Sequence, residues 1–538
     1  MRTSLARRRP LVVLAVPLSL ALVLTACGGS SNTKNASNTS AAGGATSGAA
    51  TTSTTLHLSF LEDPGQPPDP DIYYAGQGLL LTQNLYEGLL AYKLGQPKAE
   101  IVPSLATAWK VSNNSKTYDL TLRSGVTFHD GTPFDSSAVK ASFDRRLAVN
   151  QGPAYMVSDV ASITTPSKTE VIITLKDSNT AFLDYLASAY GPKMMSPTAL
   201  AANKGSDNDQ KYLTTHDVGT GPYTLTQANV GQNYQMKAYP GWWGPKVFYQ
   251  TVEIPVVSDL STQEEQFNKG DLAAILHDLN APAVKDYLGK SSIKTYSLPS
   301  FLTEQVYVNP THGMMKTLAG RQAFQASLDI KSLQQAVFAG RGDLATGIYP
   351  EGLVPGDTQN IAADPSKITA FAKTAAAADK TITLGYDTSQ PDDQQLANLV
   401  SAKLQAYGIT AKVQGYPTAD VFGWIGGSLA KAPDVLFTSF WPDAANPYTE
   451  AHIEFAPDGG LNYLHCSDPQ ITAELPGVLQ TGDMATYAKI GAQAVATGCW
   501  TNIVWRKDFM VAQPWLKGVE AAHDIGAPFS LHIAALSG

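Results

Sequence analysis

Cysteine is scarce, 3 in 538 residues, which excludes a scaffold held together by many disulfides. Positive charge is scarce too. Lys and Arg total 38 against 46 Asp and Glu, a formal charge of -8, so no basic face for a nucleic-acid backbone is implied. Only one long uncharged apolar run occurs and the mean hydropathy is -0.11, which excludes a multi-span membrane protein. Catalytic signatures are also missing: there is no Gly-x-Ser-x-Gly nucleophile turn and no His-Glu-x-x-His zinc pair. Gly289-Lys290-Ser291 ends like a phosphate loop, yet Val284 stands where its first glycine is required. His452 and Glu454 could share a metal, but an exposed strand gives the same spacing. A secreted enzyme therefore has little support, no cofactor is implied, and no internal repeat is visible. What is abundant is apolar material, 43% of the chain, enough for at least two cores of ordinary size.

The N-terminus reads as an export signal. Arg2, Arg7, Arg8 and Arg9 form a positive segment, and Pro10 to Ala26 is apolar and uncharged up to Leu24-Thr25-Ala26-Cys27, a lipobox pattern. Pro17 interrupts a run already shorter than the roughly 20 apolar residues a spanning helix needs. Arg7 to Arg9 are followed by Pro10 and Leu11 rather than by a fuller twin-arginine motif, so the export route stays open. Removing residues 1–26 takes away four Arg and no acid and moves the charge from -8 to -12. Residues 27–55 are, after Cys27, Gly, Ser, Thr, Ala and Asn with Lys34 as the single charge, a tether that cannot bury enough to fold. A diacylglycerol on Cys27 would then hold the folded body at the outer face of the cytoplasmic membrane. In that oxidising compartment Cys466 and Cys499 are expected to pair, which over a separation of 33 residues stabilises by roughly 3 to 4 kcal/mol in the chain-entropy model. Two buried free thiols are the alternative.

From Leu56 onward short alternating or β-branched runs interleave with amphipathic stretches, the pattern of an α/β chain. Leu56 to Leu61, Lys116 to Leu122 and Thr169 to Leu175 read as strands. Ser137 to Leu147, Arg321 to Phe338 and Gln394 to Tyr407 read as helices, the last stopped by Gly408.

The most informative segment runs from Ile101 to Arg145. It contains Ile101-Val102-Pro103-Ser104-Leu105-Ala106, Trp109, Thr117-Tyr118, and Leu122 through Phe134 with His129-Asp130-Gly131-Thr132-Pro133. It resembles, nearly residue for residue, the signature of the family 5 extracellular solute-binding proteins, the peptide and nickel receptors of bacterial ABC importers. Asn84 to Leu89, Val218 to Tyr223, Tyr239 to Pro245 with Trp242-Trp243-Gly244, Arg321 to Asp329 and Ala402 to Ile409 extend the resemblance in order from about Leu56 to the C-terminus. His129 beside Asp130 invites a catalytic reading, but a turn pair of this kind is usually structural, and the resemblance agrees.

The resemblance implies two α/β lobes joined by two crossovers, with an extra subdomain on the first lobe at about 91–217. Lobe one is expected over 56–304 and again over 504–538, and lobe two over 305–503. The crossovers are expected near Gln305 to Asn309 and near Ile503 to Trp505, apolar runs between differently patterned regions. Closure around a ligand that touches both lobes would signal an ABC permease. The expected form is a monomer that binds no nucleic acid.

In peptide-binding relatives an aromatic precedes an Asp lying four positions before a Pro, and that Asp holds the peptide's α-ammonium. Phe440-Trp441-Pro442-Asp443-Ala444-Ala445-Asn446-Pro447 places Asp443 equivalently, although Trp441 lies closer to it and Asn446 replaces a frequent second Asp. A surface turn beside Pro447 is the alternative. A desolvated ammonium needs such a carboxylate partner. Phe440, Trp441, Asn446 and Trp424 are further candidates, with Glu62 and Asp63 on the loop to Pro70 that follows the first strand. A peptide would also need a cation for its carboxylate, and Arg341 and Arg506 are candidates. A short peptide is the expected ligand, with an oligosaccharide or a nickel or metal chelate as the alternative.

Overall fold

The computed structural model describes residues 53–277, 279–359 and 361–538. The export signal, Cys27 and the tether as far as residue 52 lie outside the described residues. The tether ends earlier than expected, because Thr55 already pairs with Thr251 in the strand Thr55–His57.

Two sets of sheets define two lobes. In the first lobe Thr55–His57 runs parallel to Thr251–Pro255, and Asn233–Ala238 and Tyr223–Asn229 complete a four-stranded sheet. A second four-stranded sheet, antiparallel throughout, takes Ala106–Ser112, Thr117–Leu122, Glu170–Leu175 and Val160–Ser167 in that spatial order and carries its own core around Leu120, Phe128, Phe143 and Ile173. The alternation Tyr118, Leu120, Leu122 is what buries one face and leaves the other half-exposed. In the second lobe a six-stranded mixed sheet has Thr303–Val308 near its centre, between Val435–Phe440 and Trp500–Arg506. A three-stranded sheet with Asp508–Ala512 in the middle, flanked by Ala274–Ile275 and Lys294–Leu298, completes the first lobe.

The chain therefore leaves one lobe for the other at 299–302 and returns at Lys507. These crossings differ from the expected ones, which fall inside Thr303–Val308 and Trp500–Arg506. The apolar runs there are strands buried on both faces, so their composition marks a sheet centre rather than a link. The crossings are bound to each other: Arg506 N donates to Leu302 O at 2.9 Å and the Ser300 hydroxyl donates to Arg506 O at 2.9 Å.

Other elements follow the sequence with instructive exceptions. The helix expected over Arg321 to Phe338 is two, Leu318–Ser327 and Ile330–Val337, because Asp329 accepts from Ser332 N and caps the second. His452 and Glu454 lie on the helix Pro447–Phe455 rather than on a strand, so they face different ways. His452 approaches Asp458, whereas Glu454 is buried against the Tyr307 hydroxyl. Residues 281–288 form a helix and Lys290 pairs with Asp286, which leaves no phosphate loop there.

The family-like motifs converge on a structural clasp. Glu87 accepts from the Thr220 hydroxyl at 2.8 Å and from Trp243 Nε1 at 2.9 Å, and the Arg123 guanidinium lies 4.0 Å from the Trp243 ring. His129 Nδ1 meets Asp217 and its Nε2 meets Gly221 O at 2.9 Å. Burial alone would lower the His129 pKa, but Asp217 outweighs it and raises it. Both ring nitrogens are engaged, so His129 serves the clasp.

Candidate functional site

The loop after the first strand is anchored from below. Asp69 and Asp71 are fully buried and pair with two consecutive arginines of the helix Ser136–Val149: Arg145 reaches Asp69 and Asp71 at 2.6 Å each, and Arg146 Nε reaches Asp71 at 2.7 Å. A buried charge carries several kcal/mol of desolvation cost, which these ion pairs offset. The network fixes the chain just before Tyr73 and Tyr74.

Tyr74 faces the segment from Phe440 to Asn446, which leaves the end of the strand Val435–Phe440 and enters the first lobe. Asp443 is 5% exposed. Its Oδ2 accepts the hydroxyls of Tyr74 and of Tyr155, the latter at 2.7 Å, and its backbone oxygen accepts the Ser188 hydroxyl. Burial, moderated by the two phenols, pushes its pKa up to about 6. Two residues on, Ala445 N donates to the Tyr92 hydroxyl at 2.9 Å, and Asn446 Nδ2 donates to Asp184 at 3.0 Å. Gly76 is required beside this segment: a Cβ there would stand 2.8 Å from Trp441 Cη2. Trp441 also meets Phe529 edge to face, centroids 5.7 Å apart. The lobes are thus closed on each other along residues 441–446.

A cavity of about 580 Å³ lies at this junction, within the size range of small-molecule sites. Glu62, Asp63, Phe440, Trp441 and Asp443 all line it, as do Tyr74, Tyr190, Asp387, Phe422, Tyr463 and Phe529. The structure therefore brings together five of the seven residues singled out for binding. Trp424 is not among them, being buried edge-on against Tyr416 at 5.0 Å. Asn446 is not either, because its side chain caps the helix Pro447–Phe455 through Tyr448 N and holds Asp184. The surface-turn reading of Asp443 does not survive its burial.

Neither Arg341 nor Arg506 lines the cavity. Arg341 forms a bidentate pair with Asp392, with Nη2 at 2.6 Å, while Arg506 pairs with Glu304 at 3.3 Å. Glu304 and its neighbour Asp393 are both buried. Burial and, for Asp393, the nearness of Glu304 raise both pKa values. Among the described residues that line the cavity none is Lys, Arg or His, so the cation expected for a ligand carboxylate is not there. A second recess of about 360 Å³, near His57, Gln235 and Glu253, lies against the first-lobe sheet and involves none of the residues singled out.

Sequence reasoning missed Tyr74, Tyr155 and Asp387. Tyr74 closes the Glu62 to Pro70 loop and could have been found by extending it; Tyr155 lies in a segment without a motif. Cys466 and Cys499 are joined in a disulfide with Cα atoms 6.3 Å apart, inside the core of the second lobe.

Comparison with known proteins agrees with this geometry. The bacterial extracellular solute-binding proteins, family 5 Middle, match residues 100–460. The probable D,D-dipeptide-binding periplasmic protein of Escherichia coli (strain K12) is 25% identical over 397 residues, covering 73% of this chain and 76% of the relative. Among solved structures, the periplasmic binding protein DppA from Helicobacter pylori in complex with the peptide STSA superposes with a TM-score of 0.77 at 17% identity, covering 90% of this chain and 98% of that one. NikA from Brucella suis in complex with Fe(III)-EDTA gives 0.78 at 21% identity, covering 90% and 99%. These neighbours share the two-lobed fold.

Proposed function

Since the chain belongs to the family 5 bacterial extracellular solute-binding proteins, we propose that it captures a short peptide between its lobes and delivers it to an ABC transporter permease. It does so as a monomer held by a diacylglycerol on Cys27 at the outer face of the cytoplasmic membrane. The observation that carries the ligand reading is Asp443, a carboxylate on the cavity wall that is buried yet solvated by two phenols, an arrangement suited to an α-ammonium. Around it, Trp441, Tyr74 and Phe529 offer apolar faces for side chains. Ligand bridging both walls stabilises closure by its differential contacts, and the closed form is what a permease would recognise.

The test is thermal unfolding with di- to pentapeptides, oligosaccharides and nickel chelates. A ligand of the native state raises Tm by mass action, by about 2.7 kcal/mol of stability at 100 times Kd. Peptides are expected to shift it. A shift from sugars or nickel chelates with none from peptides would overturn the reading.

A further inference from the structure

The cavity is lined by the carboxylates Asp63, Asp387 and Asp443, with Glu62 on the same loop as Asp63, and none of its described lining residues is Lys, Arg or His. The hydrogen-bond donors to Asp63, Asp387 and Asp443 are neutral. Asp63 accepts from Gly65 N, Gly231 N and the Tyr234 hydroxyl; Asp387 accepts from Ser389 and the Thr418 hydroxyl; Asp443 accepts from Tyr74 and Tyr155. The arginines near the loop are committed elsewhere, Arg145 and Arg146 to Asp69 and Asp71. Neutral donors solvate a carboxylate but leave its field intact. A unit charge about 8 Å away, at an effective dielectric near 20, feels roughly 2 kcal/mol from each. A ligand carboxylate would be repelled by these three, and a second positive charge attracted. The aromatic wall has the same preference, since a cation over a Trp, Tyr or Phe face gains about 0.5 to 2 kcal/mol, and Phe422, Trp441, Tyr463 and Phe529 supply such faces.

Building on the peptide reading above, we infer that the cavity selects net-cationic peptides. The preferred ligand carries a free α-amine and a second positive charge, from a Lys or Arg side chain, or else lacks the C-terminal carboxylate. Zwitterionic and acidic peptides bind more weakly because no Lys, Arg or His among the described lining residues pairs their carboxylates. Asp387 sets part of this preference from the end of the strand Thr381–Asp387, opposite the loop that carries Asp63.

Calorimetric titration at pH 7.5 with Ala-Leu-Ala, its C-terminal amide, Lys-Leu-Ala, Glu-Leu-Ala and tyramine tests this. The amide and the Lys peptide are expected to bind at least tenfold more tightly than the parent, and the Glu peptide at least tenfold more weakly. The spread should shrink in Asp387→Asn, whose Oδ1 still accepts from Ser389 and Thr418 while the charge is gone. Peptides that bind with a smaller spread, or a variant with an unchanged one, overturn the charge inference and leave the peptide reading standing. Tyramine binding without any peptide overturns the peptide reading and retains the charge preference. Binding by none of the five overturns both.

Discussion

The Tyr155 hydroxyl donates to Asp443 Oδ2 across 2.7 Å, joining residues 288 positions apart in the chain and belonging to different lobes. The same bond therefore joins the two lobes and moderates the raised pKa of a carboxylate on the cavity wall. A hydrogen bond to a charged group contributes about 1.5 to 3 kcal/mol, so its loss weakens closure and raises the Asp443 pKa further. Tyr155→Phe is expected to enlarge the unliganded radius of gyration in small-angle scattering, toward an open form. An unchanged radius would mean that other contacts along 441–446 suffice for closure.

Affinity for a peptide amine should depend on pH through Asp443. With its pKa at about 6 against an ordinary 3.8, the carboxyl must lose a proton before it can hold an ammonium. Between pH 7 and pH 5 the ionised fraction drops about tenfold, and the affinity with it. Asp443→Asn should bind about 30-fold more weakly, or more, as expected when one partner of a buried charge pair is truncated, and its affinity should no longer vary over that range. Titrations of both proteins at pH 5, 6 and 7 read this directly.

The buried acids by the crossings should make the protein less stable as pH rises. Glu304 and Asp393 hold protons more tightly folded than unfolded, because burial raises both. Their contribution is complete below their ordinary values of 4.5 and 3.8 and is lost as pH climbs through the raised ones. Arg506 and Arg341 face the same cluster and temper the effect, whereas the carboxylate of Asp392 adds to it. Lys193 has the opposite sign: burial depresses it to about 7, so its contribution is lost as pH falls toward 7 and steepens nothing below that. Tm is expected to fall from pH 5 to pH 7, and Asp393→Asn to flatten that fall. A parallel curve for the variant would place the titration elsewhere, for instance at Glu450 and Glu454, which burial also raises.

Breaking the anchor of the first loop should cost both stability and binding. Asp71→Ala leaves Arg146 without its carboxylate at the core, a loss of about 3 to 5 kcal/mol, and releases the segment that presents Tyr74. Denaturant unfolding and peptide titration should decline together. A stable variant with intact binding would show that Asp69 alone holds the loop.

Replacing Cys499 by Ala should lower unfolding stability by roughly 3 kcal/mol in the chain-entropy model and leave peptide affinity unchanged, because the bridge to Cys466 lies within one lobe. A changed affinity would tie the bridge to the cavity.

Much of this architecture was legible in the sequence because it is local. Alternation at Tyr118 to Leu122 and the Gly408 stop at φ +85 describe nearest neighbours. Asp443 was legible through its spacing from Pro447. Its phenolic partners were not, since the bond to Tyr74 spans 369 residues and no pattern near either end records it. Trp424 misled for a related reason: an aromatic near the cavity in sequence is packed beneath it by Tyr416. The crossings misled because strands buried on both faces lose the alternation that separates strand from link.

The paired bonds between residues 300–302 and Arg506 have a mechanical corollary. Two threads stitched side by side permit pivoting about their common line while resisting shear along it. Any opening of the halves is expected to turn about that line, like a clam, and to carry the Trp441 ring out of and back into the notch at Gly76.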